Sequence, residues 1–257
     1  MKPEEVRTPV WRMPLGIWRL CMAVGYLLWV SQMMRLRFAG MSPKDQHDHV
    51  KWWSAGLLRR LGVRLVVQGQ FRPGAKLVVG NHVSWMDIMA INAAEPSCFV
   101  SKAEVGRWPV VGPMVVLAGT ILLERARRRD AMRVMGLLAQ SLKDGRTAAV
   151  FPEGTTGDGH ALLTFHGNLL QAAIDADVPV QPVALRYSDA RHPISPAAAY
   201  VGNISLLASL WWVACARGMS CHLTVLPPQR VTHADRRALA ESLRADIERS
   251  LKDALEA

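Results

Sequence analysis

Cysteine is scarce in this chain, and what there is does not cluster. Only Cys21, Cys98, Cys215 and Cys221 occur in 257 residues, with no C-x-x-C pair. That pattern points to neither a zinc site nor a disulfide framework, and the thiols are expected to be reduced packing residues. Acidic side chains are also short: 21 Asp and Glu stand against 31 Lys and Arg, a net charge of +10. Such a balance favours an anionic partner, whether nucleic acid, phospholipid surface or phosphorylated substrate. The nucleic-acid class finds no further support, because no finger, RRM or KH signature accompanies the basic run "RARRRD" at Arg125 to Asp130. The chain also has no G-x-S-x-G, which removes the nucleophile turn of a serine esterase. Internal repeats and disordered linkers are missing too. Half the residues are apolar, ample material for one large or two small cores.

The longest apolar run is at the N-terminus. From Pro14 to Met34 a single charge, Arg19, interrupts "PLGIWRLCMAVGYLLWVSQMM", a length close to the ~20 residues that cross a bilayer. Arg19 lies near one end, where it can snorkel to head groups. Trp11, Trp18, Tyr26 and Trp29 suit a membrane interface, and Arg35 with Arg37 directly afterwards would place the rest of the chain in the cytoplasm. No small-residue cleavage site follows, which argues against a secretory signal. Residues 1–61 therefore read as a membrane-associating helical region, either spanning or lying in one leaflet, and 62–257 as the domain that follows. Within the first region, "HDHVKWWSAGLLRRL" (47–61) has Val50, Trp53, Leu57, Leu58 and Leu61 at helical spacing, a face equally suited to lipid or to a core. The His and Asp residues of "KDQHDH" are metal-binding types, but a solvated helix start accounts for them, and no metal is assigned.

Past Gly62, short β-rich runs alternate with helical stretches. "RLVVQ", "KLVVG", "CFVS", "TILLE", "TAAVFP" and "VQPVALRY" read as strands, and Ser84–Ala93, Ala131–Lys143 and Gly167–Ala176 as helices between them. This alternation predicts an α/β fold whose mixed, partly parallel sheet is largely buried between helices. A final helix is expected to begin at the capping-box-like pair Thr232 and Asp235.

In folds of this kind ligands collect at the carboxyl ends of strands, and three stretches carry chemistry there. "KLVVG" ends in Gly80, Asn81 and His82, with Asp87 five residues beyond the histidine. On one helix those two side chains would point about 140° apart, and on one strand to opposite faces. They can meet only across a bend, which a strand end, a loop and a helix N-capped by Ser84 supply. A carboxylate next to the imidazole fixes its tautomer and raises its basicity, making His82 a candidate general base. The plainer alternatives are a capping role for Asp87 and a carbonyl-bonded loop histidine. The second stretch, "TAAVFPEGTTGDG" (147–159), ends another buried strand in Glu153, Gly154, Thr155 and Thr156, where Gly154 permits close backbone approach. A third, "GTILLER", sets Arg125 just past a strand, where a guanidinium can grip phosphate.

Together these blocks resemble the glycerolipid acyltransferases. Asn81-His82 with Asp87 matches the family's N-H-x4-D, Gly119 to Arg125 its G-x5-R, and Phe151 to Thr155 its F-P-E-G-T. "VPVQPVAL" (178–185) looks like the fourth block. All four occur in the family's order. The resemblance implies acyl transfer from a thioester, acyl-CoA or acyl-carrier protein, to the free hydroxyl of a lysolipid, without metal or other cofactor. The setting it implies is an anionic membrane surface at the cytoplasmic face of the cell's inner membrane. His82 would be the base and Asp87 its orienting acid. Asn81, Lys102, Arg125, Glu153, Gly154 and Thr155 would serve the substrate. The implied acceptor is 1-acyl-glycerol-3-phosphate, with lyso-ornithine lipid or another lysophospholipid as the alternative. A catalytically inactive lipid-binding relative is the non-enzymatic alternative. One departure bears on the acceptor: many phosphatidate-forming members continue the third block with Arg-Ser, where this chain has Thr156 and Gly157.

Overall fold

A computed structural model describes residues 6, 8–124, 128–231 and 234–256. Its centre is a seven-stranded sheet of β1 (Arg64–Gln68), β2 (Lys76–Gly80), β3 (Cys98–Lys102), β4 (Ile121–Leu123), β5 (Thr147–Val150), β6 (Val180–Ser188) and β7 (Ser220–Val225), ordered β1-β7-β6-β2-β5-β3-β4. Strands β6, β2, β5, β3 and β4 run parallel, and β7 pairs antiparallel to β6 while running parallel to β1. The expected mixed sheet is present. Strand β7 did not register in the sequence, and it is the strand that makes the sheet mixed.

Every residue of β2 is buried. Val78 faces one core, Leu77 and Val79 the other. Burial on both faces explains why the strand reads as a continuous apolar run rather than an alternation. One face is covered by α5 (Arg128–Lys143), α6 (Gln171–Ala176) and α8 (Arg236–Glu256), and the other by α1 (Met13–Arg37), α2 (Pro43–Arg60), α3 (Met86–Ala94) and α7 (Leu206–Cys215). A short α4 (Val111–Leu117) packs beside α1. Helices α4 and α7 were not expected. Ser205 caps α7 by accepting from the Ala208 N–H at 3.2 Å. At α8, Thr232 lies outside the described residues, and the cap belongs to Asp235, whose carboxylate accepts from the N–H groups of Arg237 and Ala238, both at 2.9 Å.

Helix α1 is not a free-standing segment. Ala23, Tyr26, Val30 and Met34, at helical spacing, are buried in the same core as α2, α3 and β6. Crossings are tight: a Cβ on Gly16 would collide with Cys215, and one on Gly56 with Tyr26, so both sites need glycine for close approach. Arg19 donates to the carbonyls of Ala214 and Ala216 at 2.9 and 3.1 Å, so it binds the carboxyl end of α7 instead of reaching for head groups, a favourable place for a cation. The apolar face of α2 (Val50, Trp53, Leu57, Leu58) is core, which settles its two alternatives against lipid. The outward face of α1 is different. Ile17, Trp18, Met22, Val24, Leu28 and Trp29 are exposed along its length. Among the cysteines, Cys98, Cys215 and Cys221 are buried as expected, but Cys21, on this outward face, is exposed, and all four are free.

Candidate active site

Parallel pairing sets the three motif loops side by side. Val79 lies opposite Val150 in the β2–β5 pair, Phe99 opposite Ala149 in β3–β5, and Lys102 opposite Leu123 in β3–β4. The loops that leave β2 and β5 and the ends of β3 and β4 consequently lie at one edge of the sheet, the carboxyl edge. Asn81 fixes the first loop to the neighbouring strand. Its amide donates to the Leu185 carbonyl at 2.9 Å and its Oδ1 accepts from the Leu185 N–H at 2.8 Å.

From there the chain bends as the spacing required. His82 Nδ1 lies 2.8 Å from Asp87 Oδ2, the histidine partly exposed and the aspartate fully buried. The same Oδ2 accepts from the N–H groups of Val83 and Ser84 at 2.7 and 2.9 Å, and Oδ1 accepts from the Tyr187 hydroxyl at 2.7 Å. The carboxylate, not Ser84, closes this turn. Helix α3 has Trp85 at its cap position without a side-chain bond, and Ser84 Oγ is buried with no partner among the described residues. A carboxylate can only accept, so Nδ1 of the neutral imidazole carries the hydrogen and Nε2 is left as the basic nitrogen. The imidazole lies flat on the Phe151 ring, centroids 4.1 Å apart and planes within 5°, which fixes its rotamer.

Glu153 is buried beneath this turn. Oε1 accepts from the His82 N–H at 2.9 Å and Oε2 from the Leu163 N–H at 3.2 Å. Burial pushes its carboxyl above the usual range, against the pull of those two N–H groups. Gly154 takes a left-handed φ of 68°, with open space where a Cβ would stand, so glycine is needed there for its dihedral and not for close approach. Thr155 and Lys102 are exposed at the same edge. Thr156 donates its hydroxyl to the Tyr200 carbonyl. Arg125 lies outside the described residues. Of the residues expected to serve the substrate, Asn81 and Glu153 have their polar atoms on backbone partners, whereas Gly154, Thr155 and Lys102 face outward.

Two members of the site were not singled out in the sequence. Tyr187 was hidden in "VQPVALRY", read only as a strand, although a tyrosine at the end of a buried parallel strand needs a hydroxyl partner. Burial and the Asp87 charge push that hydroxyl well above its ordinary range, so it stays a donor. Phe151 was quoted as part of its motif without a role. Among the described residues no cluster of His, Cys, Asp and Glu has the makings of a metal site.

The site is thus an imidazole–carboxylate pair in a bend at the carboxyl edge of a mixed sheet, the arrangement of an acyl-transfer enzyme. Residues 64–186 match the family described as Acyltransferase. The lyso-ornithine lipid O-acyltransferase of Pseudomonas aeruginosa is 36% identical over 232 residues, covering 90% of this chain and 89% of that protein. The 1-acyl-sn-glycerol-3-phosphate acyltransferase of Neisseria gonorrhoeae is 32% identical over 238 residues, covering 91% and 92%. In fold, the crystal structure of the 1-acyl-sn-glycerophosphate acyltransferase PlsC from Thermotoga maritima superposes with a TM-score of 0.74 at 22% identity, covering 96% of this chain and 97% of that one. The chain belongs to the acyltransferase family, in its glycerolipid branch, and is an enzyme of that family.

Proposed function

We propose that this enzyme acylates the free hydroxyl of a lysolipid at a membrane surface, with lysophosphatidate as acceptor and acyl-CoA or acyl-carrier protein as donor. The carrying observation is the 2.8 Å contact between His82 Nδ1 and Asp87 Oδ2, which leaves Nε2 as the base. In the reaction Nε2 removes the acceptor's hydroxyl proton and the oxygen attacks the thioester carbonyl. The tetrahedral intermediate collapses with cleavage of the C–S bond, and the departing thiolate takes the proton back from the imidazolium. Asp87 orients the ring and stabilises its transient charge. No acyl-enzyme is formed. Glu153, which holds the His82 N–H, and Asn81, which ties the start of the loop to the Leu185 backbone, act as positioning residues. Lys102 and Arg125 supply cations for the phosphate, and Gly154 and Thr155 line its approach.

The outward face of α1, from Ile17 and Trp18 to Trp29, together with Val10 and Trp11 just before the helix, is the attachment surface in this proposal. The buried face of the helix is committed to the domain, so α1 lies in one leaflet with its axis along the surface. The cations of this chain suit the anionic lipids of a bacterial inner membrane's cytoplasmic face.

A second acceptor, lyso-ornithine lipid, is favoured by one observation. Thr156 replaces a cation and has its hydroxyl turned to the Tyr200 carbonyl, a neutral setting that suits a zwitterionic head group, and relatives of both specificities match nearly the whole chain. Initial rates with lysophosphatidate, lyso-ornithine lipid and lysophosphatidylcholine at matched surface concentration decide between them. Turnover of lysophosphatidate above the others supports the first reading. Brisk acylation of lyso-ornithine lipid without it replaces that reading with the second.

A further inference from the structure

The residues leading into α1, the end of α7 and the connection after β6 surround a cavity of about 490 Å³. Arg12 lines it and is only 7% exposed. One of its terminal nitrogens donates to the Ala216 carbonyl at 3.1 Å, while its Nε is buried with no partner among the described residues. A buried guanidinium with an unfilled donor is costly unless an acceptor arrives. Among the described residues the one acid in the lining is Asp189, which is already engaged, accepting from the Ser195 hydroxyl, the Arg191 N–H and the His192 ring. Arg191 and Arg217, both exposed, also line the cavity, and so do Trp11 and Trp212.

We propose that this cavity binds the phosphate of an anionic lipid head group, as a site separate from the catalytic pair. Guanidinium groups match phosphate oxygens in fork geometry, and the buried Arg12 Nε has no partner among the described residues. The lipid, rather than a free anion, follows from position. Trp11 both lines the cavity and stands 70% exposed beside Val10 at 77%, where the outward apolar face of α1 begins. The mouth therefore opens at the edge of the surface assigned to the membrane, at the depth where tryptophan and phosphates meet. The volume also exceeds what inorganic phosphate needs, leaving room for a glycerol backbone.

The test is calorimetric titration of the full-length protein in neutral detergent with dihexanoyl phosphatidylglycerol, dihexanoyl phosphatidylcholine and inorganic phosphate. It is repeated on the double variant Arg191→Gln/Arg217→Gln and on Arg12→Gln. The double variant alters exposed side chains and leaves the Arg12–Ala216 tie intact, so it keeps the experiment decisive if Arg12→Gln fails to fold. Phosphatidylglycerol is expected to bind the wild type and to bind each folded variant at least about tenfold more weakly, with phosphatidylcholine and phosphate weak throughout. Equal affinity in wild type and double variant overturns the site. Phosphate as tight as the anionic lipid overturns the lipid assignment, and phosphatidylcholine as tight overturns the role of charge. None of these outcomes touches the acyltransferase reading, which rests on other residues.

Discussion

Tyr187, on β6, donates its hydroxyl to Asp87 Oδ1 at 2.7 Å, across 100 residues of sequence. Asp87 in turn holds the His82 ring from its other oxygen. The tyrosine is thus one step removed from the base, a positioning residue for the acid that positions the base. Because β2 and β6 pair in parallel, with Gly80 opposite Val183, the end of one strand delivers the histidine loop beside the tyrosine of the other.

Replacing Tyr187 by Phe leaves a buried carboxylate oxygen short of one donor. A loss of about 1–3 kcal/mol in stability is expected, seen as a lower denaturant midpoint. Turnover is expected to fall by about tenfold with little change in KM, since the head-group contacts are untouched. A raised KM with unchanged kcat would place Tyr187 in substrate binding instead.

Asp87→Asn is a harsher change. The amide must present either its NH2 to the N–H groups of Val83 and Ser84, or its oxygen to them and its NH2 to the Tyr187 hydroxyl, which must then accept instead of donate, and it no longer carries charge opposite the imidazole. Turnover is expected to drop about 10²- to 10⁴-fold, measured by thioester consumption with saturating lysolipid. Activity within a few-fold of wild type would reduce Asp87 to a capping residue.

Much of this site was legible because its residues are local. His82 and Asp87 are close in sequence, and only a bend can join them, so spacing and the strand end together placed them. The apolar run of β2 announced burial on both faces. What escaped depended on pairing between distant segments. Tyr187 reads as one more apolar strand residue until β6 lies next to β2. Strand β7, "SCHLTV", has polar residues between its apolar ones and no flanking motif, and α7 follows a Pro- and Ala-rich connection that masks its start. Arg19 looked like a lipid-facing charge because nothing in the sequence shows that α7 ends beneath it. The cap assigned to Ser84 failed for a local reason: the Asp87 N–H that its hydroxyl would take donates instead to the Ser84 carbonyl at 3.1 Å, while the Asp87 carboxylate takes the Ser84 N–H.

Glu153 offers a test by pH. Its ordinary value is 4.5 and burial raises it in the folded chain, so between the two values the folded state holds more protons than the unfolded state. Stability from this group is therefore greatest at low pH, declines as pH rises through that window, and is constant above it. Gln cannot titrate. Melting temperatures of wild type and Glu153→Gln from about pH 4 to about pH 7 are expected to show the wild type losing ground relative to the variant as pH rises. A parallel pair of curves would contradict the assigned burial.

The two faces of α1 make opposite predictions. The triple variant Ile17→Gln/Trp18→Gln/Leu28→Gln is expected to keep its melting temperature and lose co-sedimentation with anionic vesicles, because those side chains are exposed. Tyr26→Ala removes a buried ring and is expected to cost about 3 kcal/mol or more. Deleting residues 1–40 strips Tyr26, Val30, Met34 and Phe38 from the core, so the truncate is expected to be unstable as well as detached. Undiminished vesicle binding by the folded triple variant would refute attachment through this face.

The central claim, that His82 Nε2 takes the acceptor proton, is tested most directly by comparing wild type with His82→Ala for lysolipid-dependent release of free thiol from acyl-CoA and from acyl-carrier protein. His82 is partly exposed and its backbone, not its ring, bonds to Glu153, so the variant is expected to fold and bind vesicles normally. Its turnover is expected to fall at least about 10²-fold, with thiol release in the wild type requiring the lysolipid. Near wild-type turnover by folded His82→Ala would contradict the account.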